Sequence, residues 1–442
     1  MDMSEKPRPV KPRIIIHGGA GNITRSNLPQ QAYQQYREAL LGILDKANDL
    51  LIAPGAAAID VATYAVTLLE NDPLFNAGHG AVFTREETHE LEASVMVSKG
   101  YRKRGVGVMK VTRAKSPILL AKEMLVRGEA DDGGGAGPHV QLEGKTCDRL
   151  AEQWGLEIVD PSYFWTRRRW EEHRRGLSKS YDHETYVKHK REAAGECQTS
   201  MLEEISCANS YASNDPIWDG KEYLPQGTVG CVVLDSTGTI CVATSTGGLT
   251  NKLPGRIGDT PTIGAGFWAE EWQPHQYTAA RASVPASISP LAAFVHDCLP
   301  SLASYLTPPE CSRDQTVTVQ SSPRAVAMSG TGNGDSFLRL NAARTAAAMA
   351  RFSSGGVSDG SLKVGLTSLQ HAVSAMAGPH GALQQSAEDR WLKSGEGEGG
   401  IIGIDLRDGH GHVVADFNCG GMFRTWIDDH GKVRMAVFRQ EI

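Results

Sequence analysis

The sequence predicts an α+β layered sandwich, and three observations support this class. Both halves of the 442-residue chain contain strand-like and helix-like segments. These segments do not alternate strictly, as the β-α-β units of a doubly wound sheet would. The composition, 40% hydrophobic and 22% charged, is that of an ordinary globular protein, and the 48 glycines follow no fixed period. A disordered chain and a fibrous one are therefore excluded.

The first half of the chain is predicted to begin with a tail and a short buried strand. Residues 1–12 are polar and contain prolines, which indicates a flexible tail. Arg13–His17 contains an apolar run that is closed by glycines, as expected of a strand. Further along, apolar residues recur at helical spacing or in short runs. The predicted elements are helices over 31–51 and 56–70, a strand over 105–111, and a helix over 117–126 that has a proline in its first turn.

The composition changes at about Thr166. Residues 166–226 carry clusters of Arg and Lys interleaved with Glu and Asp, followed by polar sequence with few apolar positions. Mixed charge runs of this kind rarely form a core, so the segment is predicted to be a solvated, partly helical connector. A nucleic-acid-binding patch is the alternative, which the interleaved acidic residues and the net charge of −6 disfavour.

At Gly227 the sequence becomes apolar again. A proline-rich stretch, residues 267–324, interrupts this second half and is interpreted as an insertion that carries none of the chemistry. The predicted elements around it are strands over 228–235, 239–246, 325–328, 399–405 and 412–417, and helices over 336–352 and 362–376.

Composition and the N-terminal sequence indicate the cellular compartment and the classes of binding partner. None of the eight cysteines forms a Cys-x-x-Cys pair, and the N-terminus has no apolar core of a signal peptide. No apolar stretch approaches the roughly 18 residues of a membrane span. We therefore expect a cytoplasmic protein that binds neither membranes nor nucleic acid.

Two threonines are predicted to face each other at the end of a β-hairpin. Its loop, residues 236–238, has glycine in the third position, which is typical of a type I turn followed by a left-handed bulge. Such a loop pairs Asp235 with Thr239, and the same register places Thr228 opposite Thr246. Opposed side chains lie about 4.5–5.5 Å apart at Cβ. A Thr–Thr pair is common in sheets, so the hairpin alone does not establish chemistry.

The position of Thr228 directly after the change in composition favours a self-processing nucleophile. In one class of hydrolase, a threonine hydroxyl uses its own α-amino group as the base, and cleavage must then occur immediately before that threonine. A free α-amine has a pKa of roughly 7.7–8 and is substantially neutral near pH 7. Gly227 supplies a backbone that can distort for the required N-to-O acyl shift, and the connector supplies slack.

Six sequence motifs are spread along both halves of the chain. They are Ile-Ile-His-Gly-Gly-Ala-Gly at 15–21, Pro-Leu-Phe-Asn-Ala-Gly-His-Gly at 73–80, Gly-Thr-Val-Gly at 227–230, Ala-Thr-Ser-Thr-Gly-Gly at 243–248, Asn-Lys-Leu-Pro-Gly-Arg-Ile-Gly-Asp at 251–259, and Ser-Gly-Thr-Gly at 329–332. With these motifs the chain resembles the plant-type L-asparaginase/isoaspartyl dipeptidase family of N-terminal-nucleophile hydrolases. The motifs occur in the family's order, and the similarity covers most of residues 13–150, 227–270 and 325–427.

The resemblance implies a role for each residue of the catalytic centre. Thr228 would be the nucleophile, freed by autocleavage after Gly227, and Thr246 would hydrogen-bond to it and orient it. The Asn76 amide and the Thr331 hydroxyl would form the oxyanion hole, whose donors act where charge develops.

A second group of residues would bind the substrate. Arg256 would clamp the substrate α-carboxylate, for which a bidentate guanidinium has the right shape. Asp259 would hold the α-ammonium, and Gly332 and Gly334 would shape the same pocket.

The resemblance also implies the architecture and the ligands. The fold would be the four-layer αββα sandwich of N-terminal-nucleophile hydrolases, cut into an alpha subunit, 13–227, and a beta subunit, 228–442. Two such cleaved units would form a dimer. No organic cofactor would be needed. A structural Na⁺ or K⁺ would be bound by backbone carbonyls in the matching stretch, namely those of Leu69, Glu70, Asp72, Phe75, Ala77 and His79.

The predicted reaction is the release of aspartate from L-asparagine, from N-terminal isoaspartyl dipeptides, or from both. The long connector and the 267–324 insertion depart from compact family members and leave the substrate range open. A threonine aspartase-like protease and a glycosylasparaginase are the enzymatic alternatives, although the latter usually begins its nucleophile segment with Asp-Thr-Ile-Gly rather than Gly-Thr-Val-Gly. A scaffold protein that never cleaves itself is the alternative without enzymatic activity.

Overall fold

The computed structural model describes residues 10–180, 227–273, 322–352 and 367–439. The strands in these ranges are β1 (Arg13–Gly21), β2 (Leu91–Val97), β3 (Gly105–Val111), β4 (Gln141–Glu143), β5 (Val229–Leu234), β6 (Ile240–Thr246), β7 (Phe267–Trp272), β8 (Arg324–Gly332), β9 (Gly399–Arg407), β10 (His410–Phe417), β11 (Gly421–Ile427) and β12 (Val433–Ala436). The helices are α1 (Gln30–Leu51), α2 (Ala58–Asn71), α3 (Pro117–Val126), α4 (Gly144–Gln153), α5 (Arg167–Ser180), α6 (Gly334–Leu340), α7 (Ala342–Phe352), α8 (Leu369–Ala377) and α9 (Ala382–Gln385).

The strands form two sheets, so the predicted α+β class is confirmed. The larger sheet has eight strands in the order β12-β11-β1-β5-β6-β2-β3-β4, and the smaller has four in the order β10-β9-β8-β7. All neighbouring strands pair antiparallel except β3 and β4. The β5–β6 hairpin has the predicted register, since Val229 pairs with Ser245 and Leu234 with Ile240.

Three clusters of buried side chains bind these elements together. The first lies between one face of the larger sheet and α1 to α4, and the third lies between one face of the smaller sheet and α6 to α9. The second combines side chains of both sheets, among them Ile15, Val232 and Val242 from the larger and Phe267, Ala327 and Ile404 from the smaller. Because both faces of the central strands are buried, these strands appear in the sequence as continuous apolar runs.

Helix α5 corrects the prediction for residues 166–226. The start of this segment is helical, as predicted, but it is not solvated on all sides, because Arg169 and His173 of α5 are fully buried. Arg169 Nε donates to the Gly80 carbonyl at 2.7 Å, and its Nη1 donates to Glu172 at 2.8 Å. The charge is thus compensated one turn away on the same helix, which makes the burial possible. Residues 181–226 lie outside the described part of the chain.

Strand β7 corrects the start of the predicted 267–324 insertion. Phe267–Trp272 pairs with β8 along its whole length and forms an edge of the smaller sheet. Its inward side chains, Phe267 and Ala269, are fully buried. Arg324, at the predicted end of the insertion, is likewise a buried residue of β8 and pairs with Asp405. Residues 274–321 lie outside the described ranges.

The predicted helix over 336–352 is two helices. Asn341 adopts a left-handed conformation, with a φ of 47°, and ends α6. Helix α7 begins at the next residue. The alanine-rich pattern continues across this break, so helical spacing alone does not reveal it. Of the predicted helix over 362–376, the described part is α8, and residues 353–366 lie outside it. No helix in the described ranges has the length and apolarity needed to span a membrane.

Candidate active site

Thr228 lies immediately before β5, and its side chain is buried. Its Oγ1 shares a 2.8 Å hydrogen bond with Oγ1 of Thr260, and it is 5% exposed. The hairpin register places it opposite Thr246, as predicted, but the predicted side-chain hydrogen bond between them is not formed. Thr246 Oγ1 instead accepts from the Gly248 N–H at 3.0 Å. Thr228 precedes the first ladder pair, so the ladder does not hold its side chain against Thr246.

Thr260 contacts Thr228, and the sequence analysis did not predict this contact. Its carbonyl accepts a 2.7 Å hydrogen bond from Ser94 of β2, and the Thr244 hydroxyl of β6 lies 3.4 Å away. Two strands of the larger sheet thereby hold Thr260 beneath Thr228. Its place directly after Asp259 in the motif was the one available signal, and the 32 residues that separate it from Thr228 gave no indication of contact.

Gly227 and Thr331 are brought together, as the predicted roles require. A Cβ on Gly227 would lie 2.5 Å from Thr331 Oγ1 and 2.9 Å from the backbone nitrogen of Gly332. Thr331 is fully buried, and its Oγ1 accepts from the Ala20 N–H at 3.2 Å. The residue before Thr228 must therefore be glycine for a second reason besides backbone freedom: a side chain would not fit.

Asn76 lies against the turn that follows Thr246. Its Nδ2 donates to the Gly248 carbonyl at 2.8 Å, and its Oδ1 accepts from the Val82 N–H at 3.1 Å. A side-chain amide nitrogen carries two N–H groups, so this arrangement uses one of them. The second has no hydrogen-bond partner among the described residues.

His17 is a further neighbour of Thr228 that the sequence analysis did not single out beyond its motif. The ring is fully buried, and its Nε2 lies 2.7 Å from Ser329 Oγ, whereas its Nδ1 has no hydrogen-bond partner among the described residues. Burial lowers the pKa of His17 to about 3, although the backbone of Thr228 opposes this shift. The ring is therefore neutral at pH 7 and contributes no charge beside Thr228.

Arg256 and Asp259 form the charged wall of the pocket. Arg256 Nη2 lies 3.1 Å from Asp335 Oδ1, and its Nε has no hydrogen-bond partner among the described residues. Asp259 is buried, and its Oδ2 likewise lacks a described partner. Unpaired polar atoms of this kind in a buried wall are the expected mark of a site that binds a polar ligand.

The pKa of Asp259 is shifted by its surroundings. Burial raises it to about 7, the Arg256 guanidinium opposes the shift, and the carboxylates of Glu92 and Asp335 add to it. The carboxyl group is thus close to half ionised near neutral pH.

Glycines allow the charged groups to approach the backbone closely. A Cβ on Gly334 would lie 2.5 Å from Asp259 Oδ1 and 2.9 Å from Arg256 Nη2. Gly332 has a φ of +139°, and a Cβ there would overlap the carbonyl of Glu398. Both predicted pocket glycines are therefore required by space and, at Gly332, by backbone conformation.

Glu92 and Lys252 support the segment that carries Arg256 and Asp259. Glu92, fully buried in β2, accepts from the Gly258 N–H at 3.0 Å, and the buried Lys252 Nζ donates to the Glu90 carbonyl at 2.6 Å. Helix α5 reaches the same segment, since His173 Nδ1 lies 2.5 Å from Asn251 Oδ1. The sequence analysis missed Glu92 and His173, which contact the motif only in the folded chain.

The comparison with known proteins agrees with this geometry. A family model described as asparaginase matches residues 10–274, which is more than half of the chain and includes Asn76, Thr228, Thr246, Arg256 and Asp259. The chain belongs to the asparaginase family. The predicted resemblance is therefore confirmed at the level of the family.

Members of the asparaginase family with curated names align over much of the chain. The isoaspartyl peptidase of Escherichia coli (strain K12) is 32% identical over 413 residues, which cover 93% of this chain and 92% of that protein. The isoaspartyl peptidase/L-asparaginase of Mus musculus is 30% identical over 257 residues, 58% of this chain and 63% of that protein. The plant-type L-asparaginase of Pyrococcus furiosus is 31% identical over 260 residues, 58% and 70% respectively.

The stretch predicted to hold an alkali ion contains backbone carbonyls that pack closely against glycines. A Cβ on Gly78 would overlap the Glu70 carbonyl oxygen, and one on Gly80 would overlap that of Phe75. The carbonyls of Leu69, Asp72 and Ala77 accept only long backbone hydrogen bonds, of 3.2–3.3 Å. A carbonyl oxygen has two lone pairs, so these residues fit a cation bound by backbone oxygens. Within the described ranges, no group of three or more His, Cys, Asp or Glu side chains could hold a metal ion.

The segment under Thr228 leads to a prediction about stability. Gly107 of β3 packs so closely on Pro261 that a Cβ would overlap the Pro261 carbonyl oxygen. We expect Gly107→Ala to displace the segment that contains Asp259 and Thr260 and to lower the free energy of unfolding by about 1–3 kcal/mol, as overpacking does. Gly42→Ala in α1, where a Cβ meets no described atom within 4 Å, should instead raise it by about 0.5–1 kcal/mol. Urea unfolding measures both values, and equal effects would contradict the close packing.

Proposed function

We propose that the protein is a self-cleaving amidohydrolase that releases aspartate from L-asparagine, from N-terminal isoaspartyl dipeptides, or from both. The observation that carries this proposal is the hydrogen bond between Thr228 and Thr260, because Thr260 follows Asp259 directly. This contact supports a nucleophile close to Asp259, the residue proposed to hold the substrate α-ammonium. Family membership and the names of the relatives support the same reaction.

The first step in this proposal is processing of the chain. Thr228 Oγ attacks the Gly227 carbonyl carbon, the peptide C–N bond breaks, and an ester to Oγ forms. Water then hydrolyses the ester, which leaves the Gly227 carboxylate and a free α-amine on Thr228. Support comes from the closeness of Gly227 to Thr331 Oγ1 and to the backbone nitrogen of Gly332, because donors beside the scissile residue are what an oxyanion requires.

Hydrolysis of the substrate follows the same chemistry. The α-amine of Thr228 accepts the proton of its own hydroxyl as Oγ attacks the side-chain carbonyl of the substrate. The Asn76 amide and the Thr331 hydroxyl donate to the oxyanion, and the protonated amine passes its proton to the departing ammonia or peptide amine. Water then cleaves the β-aspartyl ester and releases aspartate. Throughout, Arg256 holds the α-carboxylate and Asp259 holds the α-ammonium. Gly332 and Gly334 have no side chains and so leave room for the substrate.

We propose that the architecture is the four-layer αββα sandwich. The three separate core clusters, one between the sheets and one under each set of helices, support this layering. The chain would work as a dimer of cleaved alpha–beta units, 13–227 with 228–442. The free state of the four described cysteines, Cys147, Cys231, Cys241 and Cys419, supports a cytoplasmic location.

We also propose that a Na⁺ or K⁺ ion is held by the backbone oxygens of residues 69–79. The carbonyls that would bind it are those of Leu69, Glu70, Asp72, Phe75, Ala77 and His79. Such an ion would stiffen the turn that carries Asn76 and needs no side-chain ligand. It would take no part in the proton transfers, and no organic cofactor is invoked for them.

Mass spectrometry and an ammonia-release assay on purified protein test the proposal together. A threonine aspartase-like protease or a glycosylasparaginase would cleave itself at the same bond but would leave asparagine intact. A scaffold protein would remain one chain after prolonged incubation. The relatives' names favour the asparaginase and isoaspartyl peptidase activities over these alternatives.

The raised pKa of Asp259 leads to a prediction about pH. Its carboxyl group must be ionised to hold an ammonium, and its pKa of about 7 means that it is mostly ionised at pH 8 and mostly protonated at pH 6. We expect the inhibition constant of the product L-aspartate to rise by about tenfold from pH 8 to pH 6. Succinate has the same carboxylates without the ammonium, so its inhibition constant should not rise in this way. Parallel weakening of both ligands would exclude Asp259 as the group responsible.

A further inference from the structure

The substrate clamp already has a carboxylate partner within the chain. Arg256 Nη2 lies 3.1 Å from Oδ1 of Asp335, the second residue of α6. The Arg256 side chain is 17% exposed, whereas that of Asp335 is 57% exposed. The arginine is thus part of the pocket wall, and the aspartate approaches it from the solvent side. What this pair does in binding rests on the proposed function, in which Arg256 receives the substrate α-carboxylate.

A carboxylate of the substrate and that of Asp335 need the same part of Arg256. A guanidinium binds a carboxylate most strongly through two parallel N–H groups. Two pairs of nitrogens can do this, Nε with Nη2 and Nη1 with Nη2, and Nη2 belongs to both pairs. In addition, two buried carboxyl groups, those of Asp259 and Glu92, already interact electrostatically with Arg256. A third and a fourth carboxylate at one guanidinium would repel each other, so substrate binding requires Asp335 to turn away.

Asp335 can leave Arg256 at low cost. Exposed ion pairs contribute little to stability, because water and salt screen both charges. Asp335 also lies in the first turn of α6, whose N-cap is the Asn333 side chain that accepts from the Ser336 N–H. Asp259 and Glu92 are buried and have no comparable freedom. Among the described carboxylates around Arg256, Asp335 is therefore the one that can exchange for a ligand.

We propose that Asp335 is an affinity-determining residue that occupies Arg256 in the free site and is displaced by the α-carboxylate of substrate or product. Competition of this kind weakens asparagine and aspartate equally, because both present the same α-carboxylate. It leaves the chemistry at Thr228 unchanged. Its consequence is a higher KM and an easier release of aspartate after each turnover.

Asp335→Asn tests this role, since it removes the competing charge and keeps the shape. We expect the KM for L-asparagine and the Kd for L-aspartate, measured by calorimetry, to fall together by about two- to fivefold, the range spanned by exposed ion pairs. Autocleavage should proceed as in the wild type. β-Alaninamide, which is asparagine without its α-carboxylate, should bind the variant and the wild type equally at pH 8, where Asp259 is mostly ionised in both.

Glu396→Gln is the matched control. Glu396 is also partly exposed and pairs with Arg339 of α6, so its loss changes the local charge equally without touching Arg256. It should leave KM and Kd unchanged. A higher KM in Asp335→Asn would mean that Asp335 supports Arg256 and would overturn the proposal. So would an equal fall in KM and Kd in Glu396→Gln, or an equally tighter binding of β-alaninamide by Asp335→Asn. A wild type that neither hydrolyses asparagine nor binds aspartate would instead contradict the proposed function.

Discussion

Thr228→Ala is expected to remain a single chain and to lose its hydrolase activity, whereas the wild type separates into residues 1–227 and 228–442. In the proposed mechanism, the hydroxyl that attacks the Gly227 carbonyl is also the one that attacks the substrate, so one substitution would remove both reactions. Loss of the nucleophile in a hydrolase costs on the order of a million-fold in kcat. Intact-mass measurement of both proteins after prolonged incubation, with an ammonia-release assay, gives both readouts.

Thr228→Ser is the matched variant, because it keeps a hydroxyl at the same position. It should cleave itself and retain measurable turnover, although without the methyl group its side chain is less restricted in rotation. The buried hydrogen bond to Thr260 Oγ1 is available to serine as well. If the alanine variant is cut at the same bond and still releases ammonia from asparagine, Thr228 is not the nucleophile.

Arg256→Ala is expected to abolish useful activity while leaving autocleavage largely intact. The substrate would lose the charged contact for its α-carboxylate, whereas the peptide bond between Gly227 and Thr228 has no α-carboxylate to be held. Truncating one partner of a buried charged pair costs on the order of 2–5 kcal/mol. This corresponds to a loss of about 30- to 5,000-fold in kcat/KM. Steady-state kinetics on the self-cleaved variant measure it.

Arg339→Ala is a suitable control for this variant. Arg339 lies in α6 near the same pocket but pairs with Glu396, and its side chain is 42% exposed. Its removal should change kcat/KM little, because exposed ion pairs contribute about 0–1 kcal/mol. Comparable asparagine turnover by wild type and Arg256→Ala would exclude Arg256 as the clamp. An Arg256→Ala protein that no longer cleaves itself would show that the arginine also serves processing.

Elements with a local signal could be predicted from the sequence, some of them to the residue. The strand Gly105–Val111 and the helix Pro117–Val126 have the predicted bounds. The β5–β6 register also agrees, because a three-residue loop with a left-handed glycine determines which positions pair; Gly238 has a φ of +81°. In each case, the deciding information lies within about ten neighbouring residues.

The two corrected segments depend on partners that are far away in the chain. Helix α5 has the charge pattern of a solvated segment, but Arg169 is buried because the Gly80 carbonyl and Glu172 satisfy it. Strand β7 appeared to begin an insertion because the prolines that follow it dominate the composition. Pairing with β8, more than 50 residues later, makes it part of the smaller sheet.

In the candidate site, too, some features follow from neighbouring residues and others from contacts between distant parts of the chain. The sequence by itself determined the motif residues and the position of Thr228 opposite Thr246, since turn chemistry and short-range order specify them. Only the tertiary structure decided that Thr228 meets Thr260 rather than Thr246, that His17 reaches Ser329 across 312 residues, and that Asp335 pairs with Arg256. The physical reason is that periodicity and turn preferences act between neighbours, whereas these contacts exist only once separate sheets and helices have packed against each other.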